Sequence, residues 1–135
     1  MDKIVLTTGT FNIVHAGHIE LFEFCMQFGK LHVAVNGNNY LTKKYKTKAI
    51  PLEYRLKVLS SLKQIDSLVV FEEDTPCSII NQVRPDIYVK GPDYRDKSIP
   101  ESKVLTELGV QFLIQSEEKI MSTSDIIYQE KRYSL

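Results

Sequence analysis

The sequence predicts an α/β fold built as one five-stranded, doubly wound parallel sheet. Five short runs are rich in β-branched and aromatic residues and lack sustained polar alternation, as is typical of strands buried on both faces of a parallel sheet. Longer stretches of helical character lie between these runs, so strand and helix alternate along the chain. Such a fold is Rossmann-like, and its ligands bind beyond the carboxyl ends of the strands.

The elements follow in order. The predicted strands cover residues 4–7, 31–35, 67–71, 86–90 and 110–114. The predicted helices cover residues 16–29, 51–63, 76–83, 100–108 and 123–130. A proline that needs no N–H partner stands at the first position of three of these helices, at Pro51, Pro76 and Pro100. Gly29 and Gly109 are predicted just beyond two helix ends.

The size and the charge of the chain exclude several classes of function. The chain has 135 residues, of which 43% are hydrophobic, so we expect one domain over residues 1–135. Seventeen basic and seventeen acidic residues cancel, so neither nucleic acid nor a membrane is an expected partner. The first residues are typical of a strand and not of a secretory signal, and Cys25 and Cys77 form no CxxC pattern. We therefore expect a cytoplasmic protein with two free, buried thiols.

The junction after the first strand is the predicted ligand site. Gly9 is small enough for a ligand to approach the backbone, and Thr8 and Thr10 add hydroxyl donors. The helix that follows points its N-terminal amides at the same place, and such amides bind anions. The junction therefore indicates phosphate binding.

Two histidines strengthen this prediction. His15 and His18 are three residues apart, so they share one face of a helix, and Gly17 between them keeps the turn open. A zinc site is the first alternative, but His32 lies on a predicted strand and Cys25 lies mid-helix, which leaves the third ligand missing. Ordinary histidines at a helix start are the second alternative. A dinucleotide fingerprint is excluded because the chain has no G-x-G-x-x-G.

The run Thr-Gly-Thr-Phe-Asn-x-x-His-Ala-Gly-His at residues 8–18 resembles the HxGH signature of cytidylyltransferase-like nucleotidyltransferases. The resemblance implies that His15 and His18 contact the nucleotide phosphates and stabilise charge in the transition state. It also implies nucleotide contacts by Thr8, Gly9, Thr10, Phe11 and Gly17. Asn12 stands where many relatives carry Asp.

Four lysines lie within residues 43–48. A solvated basic loop is the ordinary interpretation of such a run. The family pattern instead has two lysines here, before a helix with a Glu-x-Arg element, which matches residues 53–55. Counting back from that element, the resemblance implies that Lys44 and Lys46 are catalytic, and that Arg55 binds the nucleotide.

Two later stretches, residues 71–76 and 85–94, are similar to the adenylyltransferase domain of ADP-heptose synthase. In relatives, a Lys-Gly-x-Asp turn lies beside the nucleotide, which implies contacts by Lys90, Gly91 and Asp93. Pro92 stands where Gly is common in that turn.

The last motif lies at the start of the final predicted helix. Its hydroxyl side chains are typical of an N-cap, and they also resemble the Ser-Thr-Ser/Thr motif that completes the triphosphate cradle: Ser122, Thr123 and Ser124. Glu117 replaces the arginine of glycerol-3-phosphate cytidylyltransferases, which favours the ADP-heptose synthase branch.

The resemblance implies a nucleotidyltransferase. The expected donor is a nucleoside triphosphate, with ATP preferred, and the expected acceptor is a sugar phosphate such as heptose 1-phosphate. Mg²⁺ would be held mainly by the nucleotide phosphates, with no metal ligand from the protein. The alternatives are a CTP-dependent enzyme for glycerol 3-phosphate or another polyol phosphate, a nucleotide-binding module without turnover, and a zinc-dependent hydrolase.

The first predicted helix is unusually apolar. Seven of the ten residues 19–28 are apolar, whereas a single core-facing stripe needs three or four per two turns. The excess predicts a second buried face, which favours a homodimer. The alternative is a helix that is covered within the monomer.

Overall fold

The computed structural model describes residues 2–37, 50–94 and 98–115. Its elements are β1 (Ile4–Gly9), α1 (Ala16–Met26), β2 (Lys30–Asn36), α2 (Leu52–Ser60), β3 (Ser67–Phe71), α3 (Cys77–Val83), β4 (Ile87–Lys90), a 3₁₀ turn (Pro92–Tyr94), α4 (Ser102–Leu108) and β5 (Gln111–Ile114). The five strands form one sheet in the order β3-β2-β1-β4-β5, and all four pairings are parallel. The predicted fold class is confirmed. The helix predicted over 123–130 lies outside the described residues.

Two apolar clusters cover the two faces of the sheet. On one face, α1 and α2 pack against strand residues that include Val5 and Val33. On the other face, α3 and α4 pack against strand residues that include Leu6 and Ala34. Neighbours along a strand point to opposite faces, so each strand contributes to both clusters. The central strand β1 is therefore covered on both sides, as its apolar sequence predicts.

The carboxyl ends of β1 and β4 lie where the strand order reverses. β1 pairs with β2 on one side and with β4 on the other. Helices that follow β1 and β3 lie on opposite faces of the sheet, so the connections diverge at this point. Ligands of doubly wound sheets bind at such a reversal. Gly9 ends β1 there, and Lys90 ends β4.

Helix boundaries differ from the prediction by one to three residues. Pro51 and Pro76 are N-caps and not first helical residues, and α4 begins two residues after Pro100. The missing N–H of proline is harmless at any of these positions, so sequence alone does not select among them. Gly109 ends α4 in the left-handed region with φ 67°, as predicted.

Cysteine burial also differs from the prediction. Cys25 is buried, and burial raises the pKa of its thiol to about 12. Cys77 is only half-buried, so the expectation of a buried thiol is wrong there. It is the first residue of the short helix α3, where one side faces away from the sheet.

The apolar residues of α1 and the turn after it mostly pack within the chain. Six of the seven apolar side chains in 19–28 belong to the core cluster or pack against it, and Met26 is 49% exposed. Coverage within the monomer thus accounts for most of the excess, and the homodimer stays a prediction. Among the described residues, no helix has the length and apolar character needed to cross a membrane.

Gly29 allows a close approach between two backbone segments. α1 ends at Met26, three residues earlier than predicted, and the N–H of Lys30 donates to the carbonyl of Lys3 at 2.8 Å. A Cβ atom on residue 29 would overlap that carbonyl. Gly29 is therefore required by space and not by its backbone angles.

We expect Gly29→Ala to lower the free energy of unfolding by about 1–3 kcal/mol, because an added methyl at a closed site forces the backbone to shift. Gly91→Ala is the matched control, since a Cβ there meets nothing within 4 Å. Urea denaturation measures both variants. Equal stability of the two would contradict the close approach.

Candidate active site

The two histidines cap α1. His15 is the N-cap with an extended backbone, φ −144° and ψ −178°, and its Nδ1 accepts the N–H of Gly17 at 3.1 Å. The Nδ1 of His18 accepts the N–H of His15 at 3.2 Å. The pair is thus a reciprocal capping box, in which imidazoles replace the usual hydroxyl and carboxylate.

These hydrogen bonds assign the tautomers. A ring nitrogen that accepts a backbone N–H carries no proton, so each neutral imidazole has its proton on Nε2. The two rings stack with centroids 4.0 Å apart and an angle of 27° between them. The amides of His15, Gly17 and His18 already donate within this turn. The start of α1 therefore carries two imidazole Nε2–H groups, a donor type suited to phosphate oxygens. This agrees with the placement predicted for His15, Gly17 and His18.

Phe11 supports the His18 ring from behind. Its ring lies 5.2 Å from that of His18 at a near-perpendicular angle, and 5.5 Å from that of Phe22. Phe11 is buried and has φ 49°, a left-handed conformation that is costly for a bulky residue. A Cβ on Gly9 would lie 3.1 Å from the Phe11 ring, so glycine gives this ring its space. The structure gives Phe11 a positioning role, and its nucleotide contact stays a prediction.

Arg55 holds the same loop from α2. Its side chain is 1% exposed, and its guanidinium donates to the carbonyls of Thr10 at 3.0 Å, Asn36 at 2.6 Å and Ile50 at 2.8 Å. Burial lowers the pKa of Arg55, and the charge of Glu72 partly offsets this effect. These donors hold the backbone after β1, at the end of β2 and before α2, and the contact of Arg55 with nucleotide stays a prediction.

Asn12 makes a second hydrogen-bonded connection between this loop and the start of α2. Its Oδ1 accepts the N–H of Ile50 at 2.9 Å, one residue before the helix cap at Pro51. A carboxylate would accept the same hydrogen bond, so the change from the Asp of many relatives keeps the tie and removes a charge.

The carboxyl ends of β4 and β1 are joined by a buried contact. Lys90 donates from Nζ to Oγ1 of Thr8 at 2.8 Å and to its carbonyl at 3.1 Å. Both residues are buried, so direct contact of either side chain with a nucleotide stays a prediction that this geometry does not favour. Gly91 adjoins open space, and Asp93 is exposed in the 3₁₀ turn that Pro92 begins. Pro92 fits this turn because a first turn needs no N–H from it.

Sequence reasoning missed two buried residues next to Thr8 and Lys90. The hydroxyl of Tyr88 contacts Oγ1 of Thr8 at 2.7 Å and donates to Glu101 at 2.6 Å. A glutamate directly after Pro100 at a helix start was the available signal, but its ordinary role there is with the helix dipole.

Several predicted site residues lie outside the described residues: Lys44, Lys46, Ser122, Thr123 and Ser124. Glu117, which bears only on the choice of branch, lies outside them as well. Within the described ranges, no group of three His, Cys, Asp or Glu residues could hold a metal ion. The described site offers imidazole N–H groups, which can donate to phosphate oxygens.

Comparisons with known proteins indicate the family. A family model described as cytidylyltransferase-like matches residues 6–129. The chain is 40% identical over 135 residues to the bifunctional protein HldE of Proteus mirabilis, covering 97% of this chain and 28% of that protein. It is also 40% identical over 130 residues to bifunctional protein HldE of Escherichia coli O1:K1, with 93% and 27% covered. The chain thus spans less than a third of these relatives.

Solved structures share the fold. A lipopolysaccharide core biosynthesis protein from Thermoplasma volcanium superposes with a TM-score of 0.71 at 24% identity, covering 87% of this chain and 99% of that one. Pantothenate synthetase from Thermus thermophilus gives 0.59 at 15% identity, with 84% and 55% covered. At these identities the likeness supports the architecture alone.

Because His18 takes part in the capping box, its contribution to stability can be measured separately from its predicted role in catalysis. We expect His18→Ala to lose about 10²–10³ in turnover, as when one preorganised donor to developing charge is removed. It should also lose about 0.5–2 kcal/mol of stability with the cap.

His18→Gln is the matched variant, since glutamine at this helix position also accepts the N-cap N–H. We expect it to restore the melting temperature and not the turnover. Assays of pyrophosphate release and thermal melting decide the point. Turnover within threefold of the parent in either variant would remove His18 from the mechanism.

Proposed function

Because the chain belongs to the cytidylyltransferase-like family of nucleotidyltransferases, we propose that it transfers a nucleoside monophosphate from a nucleoside triphosphate to a sugar phosphate. The observation that carries this proposal is the two-histidine capping box at the start of α1. In this box the two imidazole rings stack, each with its proton on Nε2, at the point where the strand order of the sheet reverses. The substrates are then small molecules.

The chemistry needs donors and no general base. A phosphate oxygen of the acceptor attacks the α-phosphorus in line, forming one P–O bond while the bond to pyrophosphate breaks. The second pKa of a phosphate monoester is about 6, so the acceptor is largely dianionic at neutral pH. Charge then builds on the phosphate oxygens, and His15 and His18 stabilise it from fixed positions.

Residues outside the described ranges complete the proposed site. Lys44 and Lys46 would neutralise the triphosphate as point charges, and Ser122, Thr123 and Ser124 would bind it through a helix start. Mg²⁺ would arrive bound to the phosphates of the nucleotide, because this ion prefers water and phosphate oxygens as ligands. The bound ion supplies charge neutralisation at the transferring phosphate.

We propose ATP and heptose 1-phosphate, or a similar sugar 1-phosphate, as the substrate pair. The similarity of residues 71–76 and 85–94 to the adenylyltransferase domain of ADP-heptose synthase supports this choice. Glu117, in place of an arginine of the glycerol-3-phosphate enzymes, supports it as well. The identity of 40% to bifunctional HldE proteins points to the same branch.

Lys48, two residues after Lys46, provides a matched control for the role of Lys46. We expect Lys46→Ala to reduce kcat/KM more than Lys48→Ala, because only Lys46 matches the family pattern. Bound Mg·ATP should also slow tryptic cleavage within residues 43–48. Equal kinetic effects of the two substitutions would show that the run is only a charged surface.

A panel of four nucleotides against sugar and polyol phosphates, followed by pyrophosphate release, tests the function. We expect the highest kcat/KM for ATP with a sugar 1-phosphate, by about tenfold, which corresponds to about 1.4 kcal/mol. Faster turnover of CTP with glycerol 3-phosphate would overturn the branch and keep the family mechanism. No pyrophosphate from any pair would indicate a binding module.

A further inference from the structure

Four buried side chains form a continuous series of hydrogen bonds that begins at the carboxyl end of β4. We call Lys90, Thr8, Tyr88 and Glu101 the buried chain. Consecutive polar atoms lie 2.8, 2.7 and 2.6 Å apart. No member of the chain is more than 7% exposed. It runs from the end of β4, across β1, to the cap of α4.

The donor directions in the buried chain follow from its ends. An ammonium group only donates, so Lys90 donates to Oγ1 of Thr8. The hydroxyl proton of Tyr88 goes to the carboxylate of Glu101. The hydroxyl of Thr8 must then donate to Tyr88, and every bond points from the lysine to the glutamate. The two hydroxyls thus connect a buried cation to a buried anion.

Each end of the buried chain depends on the other. A buried charge is costly without compensation, and here the compensating charge lies two hydroxyls away. If Lys90 loses its proton, the negative charge of Glu101 is left unbalanced close to the proposed nucleotide site. That charge would repel phosphate.

The lysine end also holds the loop that leads to the histidines. Besides Oγ1, Lys90 binds the backbone carbonyl of Thr8 at 3.1 Å. Thr8 is the residue before Gly9, where β1 ends. The lysine end of the buried chain therefore holds the last residues of β1, from which the β1–α1 loop begins.

We propose that the buried chain positions the β1–α1 loop for nucleotide binding, and that nucleotide binds best while its lysine end is charged and balances Glu101. The nucleotide as ligand rests on the proposed function. Lys90 acts through Thr8 and touches no reacting atom, so it is a positioning residue.

Burial lowers the pKa of Lys90 to about 8, although the charge of Glu101 raises it. Within residues 2–37, 50–94 and 98–115, the other titratable groups that face Lys90 are Tyr88 and Tyr94, whose rings lie 5.6 and 4.8 Å from Nζ. Burial also raises the pKa of Tyr88 well above 10, so its proton stays on the chain. The change expected near pH 8 is therefore the loss of the lysine proton.

This loss has opposite effects on binding and on stability. In the unfolded chain Lys90 keeps its proton up to its ordinary pKa of 10.5, so between pH 8 and 10.5 the unfolded state binds more protons. Its contribution to stability therefore rises with pH in this window. A fall in nucleotide affinity that follows the loss of the Lys90 proton is then not caused by unfolding.

Calorimetric titration with Mg·ATP and Mg·CTP from pH 7 to 9.5 tests the inference. We expect the affinity of the parent to fall by about tenfold around pH 8, the size of a typical coupling between two sites. The double variant Lys90→Met/Glu101→Gln removes both buried charges at once and avoids an unpaired carboxylate. It should fold and show no such fall. Lys103→Met, an exposed lysine on α4, should behave like the parent.

The outcomes separate the two proposals. A double variant that keeps the parent's fall, or a parent without one, overturns the buried chain, whereas pyrophosphate release by the parent still supports the function. A parent that shows the fall and releases no pyrophosphate supports the chain and overturns the function. A parent that binds neither nucleotide overturns both. Parent-like kcat in the double variant at pH 7 would also exclude a positioning role.

Discussion

The end of β1 and the loop that follows it are fixed by charged side chains from other elements, which bind backbone carbonyls there. Arg55 reaches the carbonyl of Thr10 from α2, and Lys90 reaches that of Thr8 from β4. Buried carbonyls must be paired, and the sheet cannot pair them where a strand ends and the chain turns away. The geometry of the candidate site therefore depends on elements up to 82 residues away in the sequence.

The same hydrogen bonds serve folding and chemistry at the start of α1. An unpaired amide at a helix start needs an acceptor, and Nδ1 of His15 and His18 provides it. This acceptor role fixes the proton of each neutral ring on Nε2. A serine and a glutamate in these positions would cap the helix equally well, but the glutamate would put a negative charge where the histidine has an N–H donor. The helix alone therefore does not require histidines here, and the proposed function gives their N–H groups a use.

Local patterns predicted the sheet and this junction because both depend on neighbours in the sequence. Strand runs, helix spacing and the His-x-x-His pair are visible within a few residues. The inward placement of Arg55 and the contact between Tyr88 and Glu101 were not predictable in this way. A motif identifies the type of a side chain, whereas its direction depends on tertiary packing between distant segments. Helix ends differ for a related reason, since proline is tolerated at several positions around a helix start.

The two cations that hold the loop add little net charge to the site. Glu72 lies close enough to Arg55 to raise its pKa, and Glu101 does the same for Lys90. Each cation thus has a carboxylate that offsets it. In the proposed function, the attraction for a triphosphate then comes mainly from other groups, the imidazole N–H groups of α1 and the lysines of residues 43–48. The buried cations hold the backbone, and the proposal assigns the ligand contacts to these other groups. Under this proposal, a chain with no net charge attracts a polyanion locally and not through its overall charge.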